Sequence, residues 1–249
     1  MIMLKENEVL NDLLGYDGLK IIQRPDLFNF SLDSTLLAHF VTINKGVKRI
    51  IDLGTGNAPI PLFLSLRTNA EIIGVEIQEV SYDLAIRNVE LNNLTHQITI
   101  LHDDLRNIHQ KLGHHAFDVI TCNPPFFRVT EDAHLNKNDF LTIARHEVMA
   151  TLEDVIKEAS ILLKHGGYFA LVHRPDRLLD ILELMRKYKI EPKRLRLVYP
   201  KPNRECNTIL IEGRKSRQTG LRILPPLYVY KENNEYTDEI LEIFRTKKK

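Results

Sequence analysis

The chain has 249 residues, enough to bury the core of one α/β domain with a modest extension. Lys and Arg (34) nearly cancel Asp and Glu (33), leaving a formal charge of +1, which argues against function through bulk attraction to a polyanion and leaves only a local basic face to hold nucleic acid. Cys122 and Cys206 are too few for a disulfide framework, the acids Glu6, Glu8 and Asp12 argue against a signal peptide, and no run approaches the roughly 18 apolar residues of a membrane helix. A soluble protein of the reducing cytoplasm is expected.

The elements follow in chain order. Residues 1–46, ending in LDSTLLAHF, read as an N-terminal helical segment packed over a sheet edge. From Val47, short β-branched runs alternate with amphipathic stretches, the pattern of a mostly parallel sheet flanked by helices. VKRIIDL is the first strand, PIPLFLSL a helix that tolerates proline in its first turn, and EIIGVEI the second strand. Helix-spaced Val80, Leu84, Ile86, Val89 and Leu91 lead to a third strand, Ile98 to Leu101, and a fourth, Phe117 to Cys122. TLEDVIKEASILL is a helix with Thr151 and Asp154 as a capping box, expected to end at Gly166-Gly167. GYFALVH, the helix beginning at Pro175, RLRLVYP and NTILIEG complete a core of about seven strands over residues 47–213. Residues 214–249 read as a charged, proline-bearing appendage to a single domain.

Asp52-Leu53-Gly54-Thr55-Gly56-Asn57-Ala58 follows the first strand, where glycines let the backbone approach a ligand at a helix N-terminus. Pro59 stands where a dinucleotide loop has its third glycine, and Asp52 would repel a pyrophosphate. The loop therefore suits a phosphate-free sulfonium cofactor whose amino acid portion carries an ammonium; a plain strand-to-helix turn has the same pattern. Glu76, twenty residues after Gly56, ends the second strand where a carboxylate accepts ribose hydroxyls. Asp104, of the pair Asp103-Asp104, is placed to bond an adenine amino group, and reads equally as the cap of a short helix from Leu105 to Gln110.

Asn123-Pro124-Pro125-Phe126 after the fourth strand is the most specific signal. The adenine N6 lone pair is delocalised into the ring, so alkylating it requires acceptors that draw its hydrogens into a pyramidal arrangement. The Asn123 amide oxygen and the Pro124 carbonyl supply two, the prolines fix their aim, and Phe126 offers a face on which an extruded base stacks, a contact of roughly 1–3 kcal/mol. A sulfonium is already an activated leaving group, so no metal or covalent nucleophile is required, and the ten histidines show no metal-ligand spacing.

With DLGTGNA, GVEI, the HDDL acid and NPPF on successive strands, the chain resembles the Rossmann-like class I S-adenosylmethionine-dependent methyltransferases that modify amino nitrogens. FSLDSTLLAHF and FLTIARHE further resemble the bacterial family acting on N6 of adenine 37 in valine tRNA. The resemblance implies a seven-stranded, mostly parallel sheet with helices on both faces and the last strand antiparallel. It implies cofactor contacts from Asp52, Gly54, Gly56, Asn57, Glu76, Asp104 and Asn123, closure of that pocket by Ser31 and Asp33, and catalysis by Asn123, Pro124, Pro125 and Phe126. A related branch uses the same loop to methylate glutamine in peptide release factors, but typically carries a separate N-terminal helical domain.

For a tRNA partner, Arg145 and His146 follow the reacting loop, and Lys193, Arg194, Arg196, Lys201 and Arg204 cluster near the sixth strand. Arg214, Lys215, Arg217, Arg222 and Lys247 to Lys249 would extend a phosphate track; a solvated surface is the plain alternative for the scattered Lys and Arg, and a helix-terminal salt bridge the alternative for Arg145.

Overall fold

The sequence RIIDL places β-branched residues on both faces of one strand, which requires cover on both sides. In the computed structural model, which describes residues 4–13, 18–26, 32–124 and 150–245, that strand, Arg49–Leu53 (β3), is central. It pairs in parallel with Glu71–Glu76 (β4) and Phe117–Cys122 (β6). Ile98–His102 (β5) lies outside β4, and Leu163–His173 (β7) outside β6, both parallel. Thr208–Lys215 (β9) then inserts antiparallel between β7 and Ile190–Tyr199 (β8), giving the order β5-β4-β3-β6-β7-β9-β8. The expected seven-stranded core with an antiparallel last strand is thus present, with its parallel carboxyl ends aligned on one edge.

Alternation along β3 sorts the core into two layers, Ile50 on one face and Ile51 and Leu53 on the other. The first face carries Leu32–Phe40 (α1), Pro59–Ser65 (α2) and Glu79–Leu91 (α3). The second carries Leu152–Leu162 (α5) and Leu178–Lys187 (α6), with the short helix His109–Leu112 (α4) beside α5. Proline stands in the first turn of α2, and the capping box opens α5: the Thr151 hydroxyl accepts the Asp154 N–H at 3.1 Å, and the Asp154 carboxylate accepts the Thr151 N–H at 2.9 Å.

Four features differ from the sequence reading. Helix α5 ends at Leu162, not at the glycine pair; Leu163 is already extended, and Gly166 and Gly167 lie inside β7, where the Gly166 carbonyl accepts two bonds from Arg214. Val80, expected on the buried face of its helix, is exposed. The N-terminal segment includes an antiparallel hairpin, Val9–Asp12 (β1) with Lys20–Gln23 (β2), ahead of α1. The segment after Gly213 is built into the fold: Arg222–Ile223 (β10) and Leu227–Tyr228 (β11) pair in parallel with β8, and Asp238–Phe244 (α7) buries Ile240, Ile243 and Phe244 in the same layer as α1.

The hairpin docks through side chains that mimic a strand. On α3, the fully buried Asn88 accepts the Ile22 N–H at 2.6 Å and donates to the Ile22 carbonyl at 3.1 Å and the Asn57 carbonyl at 2.9 Å. One turn on, Asn92 accepts the Lys20 N–H and donates to its carbonyl. Asn88→Ala removes the partner of the Ile22 N–H and of the Asn57 carbonyl, the Ile22 carbonyl keeping the Asn57 amide, and is expected to cost about 2 kcal/mol of stability. Urea denaturation reads it; a midpoint equal to that of the parent protein would remove the strand-mimic role.

Candidate active site

Every parallel strand of the sheet delivers its following loop to the carboxyl edge, and the first such loop begins at Gly54. Gly54 and Gly56 adopt φ of 70° and 58°, the left-handed region where a side chain is strained. A Cβ built on either would meet nothing within 4 Å among the described residues, so the loop presents bare backbone to open space. Two other loop residues serve the scaffold. Asn57, expected at the cofactor, is 7% exposed and donates its amide to the Ile22 carbonyl at 3.1 Å, tying the loop to the hairpin. Asp52, also expected there, has no exposed surface: the Thr55 hydroxyl donates to one carboxylate oxygen at 2.6 Å and the Thr121 hydroxyl to the other at 2.7 Å. Burial pushes the Asp52 carboxyl up to about 7 despite those two bonds, with the nearby Glu76 adding to the rise. Its work is to brace the loop against β6 from beneath.

Glu76 closes β4 facing the loop. Its Oε2 accepts the Gly56 N–H and its Oε1 the Gln78 N–H, each at 2.8 Å, so both oxygens are fixed by backbone amides at the loop. Burial raises its pKa, opposed by the backbone amides of Gln78, Gly56 and Ile77. A cleft of about 40 Å³ is lined by Gly54, Glu76, Ile77, Asp104, Leu105 and Ala150, among others. Asp104 accepts the Arg106 N–H at 2.8 Å and pairs with its guanidinium, forming a turn ahead of α4, which begins only at His109. It lines the cleft with its side chain still one-third exposed.

Asn123 follows β6, adjacent to β3, and its Nδ2 donates to the Ser34 hydroxyl at 3.1 Å. Ser34 belongs to α1 and is 4% exposed. Nothing in the sequence pairs these residues, which stand far apart in the chain. Pro124 is buried; Pro125, Phe126, Arg145, His146 and Ser31 lie outside the described residues. Asp33, expected to close the cofactor pocket, accepts the hydroxyl of Thr208, at the head of β9, at 3.5 Å, and Arg174 after β7 acts on its charge. Helix α1 packs on α2, β7 and β9, which brings Asp33 to the head of β9. Burial holds the Asp33 carboxyl above its ordinary pKa.

The basic cluster is largely engaged within the fold. Glu212, 1% exposed, requires a partner, and Arg194 supplies it at 3.0 Å while bonding Thr42 and lying 4.4 Å over the Phe40 ring. Arg196 pairs with Glu239, Arg214 covers Tyr168, Lys215 bonds Ser160, and Lys193 and Lys201 bond backbone carbonyls. Among the described residues no group of three or more His, Cys, Asp or Glu is arranged to hold a metal ion, and no helix is long and apolar enough to cross a membrane.

The glycine loop, Glu76 and Asn123-Pro124 thus share one edge, and residues 20–188, which contain all three, match the family model of the methyltransferase small domain. The chain belongs to this family. Among relatives, a Porphyromonas gingivalis protein named tRNA1(Val) (adenine(37)-N6)-methyltransferase is 34% identical over 167 residues, 66% of this chain and 64% of that protein, so the chain spans somewhat less than two thirds of that relative. A Flavobacterium psychrophilum protein of the same name is 24% identical over 232 residues, 93% of this chain and 97% of that protein. The fold is that of solved methyltransferases: a predicted O-methyltransferase from Agrobacterium tumefaciens has a TM-score of 0.70 at 21% identity, covering 86% of this chain and 96% of that one. TYW2 from Pyrococcus horikoshii, solved in complex with MeSAdo, has a TM-score of 0.59 at 12% identity, covering 86% and 73%. Within the methyltransferase small-domain family this chain has an open glycine loop and a buried acid at the end of β4 that accepts the Gly56 N–H.

Proposed function

We propose that the chain is a cytoplasmic enzyme that transfers a methyl group from S-adenosylmethionine to N6 of adenine in tRNA, at adenine 37 of the valine tRNA named for its relatives. The observation that carries the reading is the Asn123 amide, held by Ser34 at the carboxyl edge of β6, on the same edge of the parallel sheet as the cleft lined by Glu76. The donor set fits the cofactor: open backbone at Gly54 and Gly56 gives room for its amino acid portion, Glu76 offers a carboxylate to its ribose hydroxyls, and Ile77 and Leu105 offer apolar contact to its adenine beside Asp104. S-adenosylmethionine, when bound, supplies a methyl carbon activated by the adjacent sulfonium.

The residues of the chain then align the acceptor. Asn123 Oδ1 and the Pro124 carbonyl each accept one hydrogen of the target amino group, drawing the nitrogen toward a pyramidal shape with its lone pair directed at the cofactor. In this reading Phe126 supplies the stacking face for the extruded base, and Arg145 and His146 meet the RNA near the mouth. Alignment and fixed dipoles carry the acceleration, so no titrating base is needed.

The test is transfer of label from methyl-labelled S-adenosylmethionine to tRNA from cells lacking the gene. Labelled N6-methyladenosine is expected; label in protein glutamine with none in RNA would overturn the acceptor. Glu76→Ala is expected to weaken S-adenosylmethionine binding about 30-fold, near 2 kcal/mol, by removing the ribose acceptor and loosening the Gly56 amide. Calorimetric titration checks it, and an unchanged affinity would take Glu76 out of the cofactor site.

A further inference from the structure

The Asn123 side chain ends in a planar amide whose last torsion has a broad, roughly two-fold preference, so its oxygen and nitrogen ends exchange easily when nothing holds them. Only the oxygen end accepts a hydrogen from an amino group. In this fold the nitrogen end is claimed by Ser34: Nδ2 donates to its Oγ at 3.1 Å, at a side chain 4% exposed. Holding Nδ2 toward α1 turns Oδ1 away from that helix.

The hydroxyl is itself fixed because α1 is anchored at both ends to one strand. Asp33, beside Ser34, receives the Thr208 hydroxyl at the start of β9. Just past the other end of the helix, the Thr42 N–H donates to Glu212 at 2.6 Å and its hydroxyl donates at 2.8 Å, four residues along the same strand. The lengths agree: nine helical residues rise about 14 Å and four strand residues about 13 Å. Helix α1 therefore lies along β9 as a strut that ends at the carboxyl edge with Ser34 against Asn123.

We propose that Ser34 is a positioning residue that fixes the rotation of the Asn123 amide and so presents Oδ1 to the acceptor amino group. The proposal rests on the reading of Asn123 as the amino-group acceptor. It predicts an effect on the rate of transfer and not on either ligand's binding, because Ser34 acts through Asn123 alone.

A double-mutant cycle on single-turnover methyl transfer to unmodified tRNA tests it. Ser34→Ala is expected to slow transfer about 10-fold with S-adenosylmethionine and tRNA affinities within about two-fold of the parent, and to cause no further loss in the Asn123→Ala protein. Equal losses in both backgrounds, as a purely structural residue would give, or no loss in the parent background overturn the proposal while leaving the role of Asn123 intact. An Asn123→Ala protein with full activity overturns both. Should Ser34→Ala fail to fold, Ser34→Cys keeps the side-chain size while weakening the acceptor, and the same cycle on that variant distinguishes the same outcomes.

Discussion

Replacing Asn123 by alanine is expected to slow methyl transfer by about 10²- to 10³-fold, the loss typical of removing one fixed dipole aimed at a transition state. The amide oxygen interacts weakly with a planar, conjugated amino group and strongly with one that is pyramidal and acquiring positive charge. The loss therefore falls on turnover rather than on ground-state affinity. Substitution also leaves the buried Ser34 hydroxyl without the Asn123 donor, a modest cost in stability that a melting curve reports separately. Single-turnover kinetics at saturating cofactor and tRNA checks the prediction. A rate within a few-fold of the parent would mean that alignment at this edge comes from other groups.

The second large effect concerns stability and its dependence on pH. Asp52 titrates near 7 in the folded protein against 3.8 as its ordinary value. Between those values the folded state holds a proton that the unfolded chain has released, so stability falls as pH rises. The contribution is present in full below about pH 4, declines through the window up to about 7, and is absent above it. A displacement of about three pH units corresponds to a swing on the order of 4 kcal/mol. Asparagine has the same shape and no charge to desolvate, and the Thr55 and Thr121 hydroxyls can turn to meet its oxygen and nitrogen. Asp52→Asn should therefore gain on the parent protein as pH rises, its relative melting temperature climbing roughly 10 °C between pH 4.5 and 8. Paired melting curves across that range check the sign; a constant difference would mean that Asp52 is ionised throughout.

Together the two residues separate chemistry from scaffold within one stretch of edge. Asn123 lies one strand across from Asp52, and Thr121, two residues before it on the same strand, carries one of the hydroxyls that hold Asp52. The acid of the glycine loop is thus coupled to the reacting strand from below, whereas Glu76 meets the loop from the open side through the Gly56 amide.

Much of this was legible in the chain itself. The β-branched runs, Pro59 at the head of α2, the Thr151–Asp154 box and the placing of DLGTGNA, Glu76, Asp104 and Asn123-Pro124 at successive strand ends are local features, and local sterics and hydrogen bonding suffice to specify them. Tertiary structure decided what depends on partners distant in sequence. Asp52 and Asn57 look like ligand contacts in the motif, yet Thr121 and the Ile22 carbonyl claim them, because a polar group carried beneath a tight loop must be satisfied by whatever element packs there. Arg194 reads as surface charge until the buried Glu212 arrives beside it from another strand. Ser34 carries no signal by itself; its role exists only because α1 lies along β9 and ends at Asn123. Periodicity and turn chemistry are written residue by residue, whereas the pairing of buried polar groups is settled only when the layers close.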